Sequence, residues 1–67
     1  MAGKAVGIGD RFVAVGREAI TWAVEACFDI PGGIRHVRLR QIGAPHIQRT
    51  FSEMTLLDPR TFKRSSD

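Results

Sequence analysis

Apolar and polar residues alternate through the middle of this chain. In AITWAVEACFDI, residues 19 to 30, every even position is apolar (Ile20, Trp22, Val24, Ala26, Phe28, Ile30), with Thr21, Glu25 and Asp29 between them. A period of two predicts a β-strand with Trp22 and Phe28 on the core side and Glu25 and Asp29 in water. The same segment carries a helical stripe of Ala19, Ile20, Ala23, Val24, Cys27 and Phe28, and its alanines favour helix. The unbroken alternation and the turn-forming Pro31-Gly32-Gly33 that follows favour the strand, with the helix as the alternative.

The flanking segments extend the β pattern. Gly9-Asp10 leads into Arg11-Phe12-Val13-Ala14-Val15, a β-branched run ended by Gly16 that reads as a first strand. GIRHVRLRQIG, residues 33 to 43, sets Val37 and Leu39 on one face and His36, Arg38 and Arg40 on the other, as an antiparallel sheet with one solvated side requires. Arg35 shares the parity of Val37 and Leu39 and reaches water from the strand's start. Gly43-Ala44-Pro45 turns the chain, HIQRTFS offers a fourth strand and EMTLL a short fifth. Asp58-Pro59-Arg60-Thr61-Phe62 predicts a helical turn with Asp58 as N-cap and Pro59 at its first position, and Phe62 closing the core. Residues 1–8 and 63–67 are expected to be flexible, leaving residues 9–62 as a single small β domain.

Four to five short antiparallel strands joined by Gly and Pro turns predict an all-β fold: a small curled sheet or barrel with a short C-terminal helical turn. Gly9-Asp10 before the first strand, Trp22 in the second, His36-Val37-Arg38-Leu39 in the third, and Ser52 with Leu56 near the end stand in an order that resembles the SH3-like barrels of the Tudor and KOW kind. Leu56-Leu57-Asp58-Pro59 is also similar to the closing segment of a set of small bacterial proteins of unassigned function. The resemblance spans residues 9–62 and implies a fold more than an activity, because such barrels host many unrelated functions.

Length and composition narrow the classes. A chain of 67 residues is one domain, and it buries only about 60% of the surface its unfolded form exposes. An apolar fraction of 43% is too high for general disorder. Cys27 is the single cysteine, so no internal disulfide forms. There is neither a secretory-type apolar stretch at the N-terminus nor a run long enough to span a bilayer, so a cytoplasmic protein without membrane association is the expectation.

Charge is unevenly spread. The chain has 10 basic and 7 acidic side chains, yet residues 33–50 hold Arg35, Arg38, Arg40 and Arg49 and no acid. The guanidinium group suits phosphates better than an ammonium does. His36, Arg38 and Arg40, about 7 Å apart along one strand face, with Arg49 beside them on the next strand, are therefore candidate nucleic-acid contacts. The same row also reads as a solvated face that discourages edge-to-edge aggregation. With one tryptophan, four phenylalanines and no tyrosine in the chain, and Trp22 and Phe28 assigned to the core, the shortage of rings argues against base stacking and against an aromatic cage.

Other chemistry lacks its signature. Cys27, His36 and His46 contain no close ligand pair of the kind structural zinc uses. Gly7-Ile8-Gly9 has neither a preceding strand nor a following helix to cradle a phosphate. No nucleophile–base pair can be named, and neither a cofactor nor a small-molecule substrate is indicated. These features point to a non-enzymatic binding module that meets RNA or DNA phosphates through Arg38, Arg40 and Arg49. The alternative is a protein-interaction or assembly module, such as a homodimer, formed through Ile34, Ile42 and Phe51 if these do not all fit the core.

Overall fold

The computed structural model describes residues 5–65; residues 1–4 and 66–67, which belong to the termini expected to be flexible, lie outside the described residues. Five strands and one short helix follow in the order β1 (Arg11–Ala14), β2 (Arg17–Ile30), β3 (Ile34–Gln41), β4 (Ala44–Ser52), α1 (Glu53–Leu57) and β5 (Phe62–Arg64). All neighbouring strands are antiparallel, in the sheet order β4-β3-β2-β1-β5. The all-β class is as expected, and residues 19–30 are strand rather than helix. The sheet does not close into a barrel: β4 and β5 are its two edges.

The long strand β2 is the spine. Its first half pairs with β1 and its second with β3, across the Pro31-Gly32-Gly33 reversal, where Gly32 and Gly33 take φ values of 106° and 80°. Those values lie in the left-handed region that a side chain resists, which is why two glycines stand there. At Glu25 the register slips: Val24 pairs with Leu39, but it is Ala26, not Glu25, that pairs with Arg38. One extra residue is thus inserted on β2, a β-bulge, and from there on the two faces exchange parity.

This slip corrects the strict alternation expected for residues 19–30. Trp22 and Val24 face the core, but beyond the bulge Cys27 takes the inner position opposite Val37, and Phe28 moves to the face of His36. Phe28 is consequently exposed (38%) rather than a core residue. The core consists of Val6, Phe12, Val24, Val37, Leu39, Leu56 and Phe62, with Trp22, Cys27 and Phe51 half-buried against it. Phe51 meets Phe62 edge-on at 5.1 Å between ring centres, a favoured aromatic geometry.

The segment after β4 differs from the expectation in two ways. EMTLL is a helical turn rather than a strand, because Ser52 caps it: its Oγ accepts from the Thr55 N–H at 3.2 Å and supplies one of the partners that the first turn of a helix lacks. Asp58 is the C-cap of this helix rather than the N-cap of another, although the turn expected over Asp58–Phe62 exists, with the Thr61 and Phe62 N–H groups donating to the Asp58 carbonyl at 2.9 and 3.1 Å. The described parts of the two ends make specific contacts. Val6 is buried, held by its N–H donating to Glu53 Oε2 and its carbonyl accepting from Arg35 Nη2, both at 2.9 Å. Lys63 and Arg64 belong to β5 and pair with Val13 and Phe12.

Candidate nucleic-acid interface

Strand register assembles the basic face row by row. Arg40 pairs with Ala23 on one side and Gln48 on the other, and Ala23 pairs with Arg11, so one row reads Arg11–Ala23–Arg40–Gln48. The next row is Ala26–Arg38–Thr50, and the one after it Phe28–His36–Ser52. Arg11 and Arg40 therefore stand two strand spacings apart, about 9.5 Å, with only an alanine between them. Val13, on the parity of Arg11, pairs with Thr21 and Lys63 and brings the Lys63 position onto the same face.

Glu25, which shares the parity of Ala23 and is left out of the pairing by the bulge, is the counter-charge. Its Oε2 accepts from Arg38 Nε at 2.8 Å and from Gln48 Nε2 at 2.7 Å, and its Oε1 lies 3.8 Å from Arg40 Nε. One carboxylate thus serves two guanidinium groups, both of which keep close to half their side-chain surface in water (44% and 45%). Their terminal nitrogens make no hydrogen bond among the described residues. Arg11 has no ion pair or side-chain hydrogen bond among the described residues. Lys63 feels the Glu18 carboxylate, which the Gly16 N–H holds below its usual range.

Of the four residues singled out from the sequence, His36, Arg38 and Arg40 share this face and Arg49 does not. Arg49 pairs with Leu39 and so has the opposite parity, its Nη1 donating to the Gln48 carbonyl at 3.0 Å. The signal was present in HIQRTFS, where Arg49 shares parity with Phe51, a residue packed on the core. Arg11 and Lys63 went unnoticed because their membership depends on how β1 pairs with β2 and β5, which no local pattern reveals. Arg35 is occupied elsewhere, by the Val6 carbonyl and Glu53.

Comparison with protein-family models, curated proteins and solved structures finds no match. The chemistry of the face must therefore be taken on its own terms. His36 Nδ1 is 3.2 Å from the Ile34 carbonyl, and the imidazole stacks on the Phe28 ring at 6.2 Å between centres and 29° between planes. Beside this pair opens a groove of about 390 Å³, lined by Ile34, His36, Ser52, Met54, Thr55 and Asp58. The Ser52 and Thr55 hydroxyls are hydrogen-bonded at 2.9 Å. Arg60 holds the Asp58 carboxyl below the usual range, through its guanidinium first and its backbone N–H second.

Cys27 is half-buried, with its Sγ 3.8 Å from the Val6 carbonyl, and no group of three or more His, Cys, Asp or Glu side chains suited to a metal occurs among the described residues. No helix among them is long and apolar enough to cross a membrane. Ile34 and Ile42 remain outside the core, 51% and 42% exposed, whereas Phe51 is packed into it.

Proposed function

We propose that this chain is a non-enzymatic nucleic-acid-binding module on an SH3-like strand order, gripping phosphates with Arg11, Arg38 and Arg40. The observation that carries this reading is the register that sets Arg11, Ala23 and Arg40 in one row across three strands, with Arg38 beside them and Glu25 as the only acid paired to Arg38 and Arg40 among the described residues. Half-exposed guanidinium groups that share one carboxylate have donors to spare for phosphate oxygens. The sheet order, with a single helical turn between the fourth and fifth strands, supports the small-barrel likeness even though the sheet stays open.

Binding through three phosphate contacts gives a slope of log affinity on log salt of about −2 to −3. Fluorescence anisotropy with a labelled oligonucleotide over a salt series measures it. An affinity indifferent to salt overturns the reading. A second reading, assembly through protein contacts, is favoured by exposed Ile34 and Ile42 and by the unpaired edge of β4. Light scattering over a concentration series separates the two, since a monomer throughout leaves no room for the homodimer.

A further inference from the structure

The bulge at Glu25 places an aromatic ring on the basic face where strict alternation would have buried it. Phe28 lies in the row next to Arg38, stacked on His36, and the groove beginning at His36 adds the exposed apolar side chains of Ile34 and Met54 (51% and 80%). A phenylalanine kept in water beside guanidinium groups contributes little to the core. It does offer a flat surface next to phosphate-binding charge, the combination that holds unpaired bases.

We infer that the nucleic acid bound here is single-stranded, and that one of its bases stacks on the Phe28–His36 pair at the mouth of the groove while its phosphate lies at Arg38. The inference rests on the phosphate-gripping reading above. His36 and Arg38 are one two-residue step apart on β3, about 7 Å, a separation that one nucleotide spans between base and phosphate. A duplex cannot use this arrangement without extruding a base, because its base faces are already stacked on one another. The groove is also polar where a base edge would arrive, with the Ser52 and Thr55 hydroxyls and the ionised Asp58 carboxylate at its wall and Ile34 and Met54 as its apolar part. Charge complementarity selects the occupant: the arginines adjoining the ring pair favour an anionic chain over an apolar peptide or a second copy of this basic protein.

The test compares a short single strand of mixed sequence with an abasic strand of the same length, which keeps the phosphates and lacks the bases. Anisotropy at low salt is expected to show the abasic strand bound about tenfold more weakly, the worth of one base on an aromatic ring. Phe28→Leu, which keeps an apolar side chain of similar bulk, and Phe28→Ala should both bring the mixed strand down to the abasic level without changing the salt slope. A duplex of the same sequence should bind no better than the abasic strand. Equal affinities for the two single strands overturn the stacking inference and leave the phosphate reading standing. Failure of both strands to bind overturns both. Shifts of Ile34 and Met54 signals with protein concentration alone, in the absence of oligonucleotide, would show the groove occupied by a second copy and overturn the inference as well.

Discussion

Removing the counter-charge on the basic face should tighten binding while slightly weakening the fold. Glu25→Gln keeps the shape of the side chain and its bond to Gln48 but deletes the charge that holds Arg38 at 2.8 Å and attracts Arg40 at 3.8 Å. A phosphate seated against the far side of either guanidinium lies about 6–7 Å from the carboxylate; at an effective dielectric constant of roughly 55–80, repulsion over that distance is about 0.6–1 kcal/mol. The variant should therefore bind an oligonucleotide about two- to fivefold more tightly at low salt. The gain should shrink as salt screens it. On the stability side, the partners are substantially exposed, so the lost ion pairs are worth only about 0.2–1 kcal/mol, a fall in melting temperature of a few degrees for a domain of about this size. Anisotropy and thermal denaturation on the same preparations give both quantities. Glu53→Gln is the control, because the Glu53 carboxylate bonds the Val6 N–H and Arg35, away from this face. Unchanged or weaker binding by a folded Glu25→Gln protein would refute the reasoning, since a phosphate held by Arg38 and Arg40 must feel the neighbouring carboxylate.

Other expectations are more compact. Arg11→Gln should reduce the salt slope by about 1, whereas Arg49→Gln should leave it unchanged; the reverse result would put the interface on the opposite face. Leu39→Ala removes a fully buried side chain, and at about 2–5 kcal/mol it should unfold most of a domain this short, visible as loss of the β signal in circular dichroism. Glu53→Gln should speed hydrogen exchange at the Val6 amide, with unchanged protection showing that Glu53 does not hold that segment. Asp58 titrates below its ordinary range, so the stability it contributes is present above the usual aspartate pKa and is lost as pH falls through the depressed value. Arg60→Ala should return the Asp58 titration, followed by its carboxyl carbon shift, toward the ordinary value, and no movement would deny Arg60 its role.

Much of the strand layout was legible in the sequence because it rests on local rules. Pro31-Gly32-Gly33, the alternation of Val37 and Leu39 with His36, Arg38 and Arg40, and the run at Arg11–Ala14 each mark their element without help from distant contacts. The misreadings fall where tertiary context overrides pattern. EMTLL is apolar enough for a strand, but the serine before it caps a helix whose Leu56 covers the core. Val6 reads as part of a loose end because the contacts that bury it come from Arg35 and Glu53, far along the chain. The candidate site was legible in half: the parity of β3 isolates Arg38 and Arg40, whereas the partners of that strand, and hence Arg11 and Glu25, are properties of the sheet.

The bulge at Glu25 shows why a flawless period can still mislead. Alternation over residues 19–30 fits a flat strand from end to end, but β2 has to pair with β1 through one half and β3 through the other in a sheet that curls over its core. An inserted residue bends the strand and strengthens its twist at the crossover between the two partners. The sequence tolerates the insertion because apolar residues occupy both parities after it: Cys27 turns inward in the same step that turns Ala26 and Phe28 outward. Glu25 itself, freed from pairing, is set between two arginines of the neighbouring strand. The exposure of the aromatic ring on this face therefore has its cause in the backbone, whereas Glu25 shares the parity of Ala23, the partner of Arg40, and would face the arginines even in an unbulged strand. The proposed base platform adjoins the proposed phosphate contact because the inserted residue turns Phe28 onto the face that already holds Arg38.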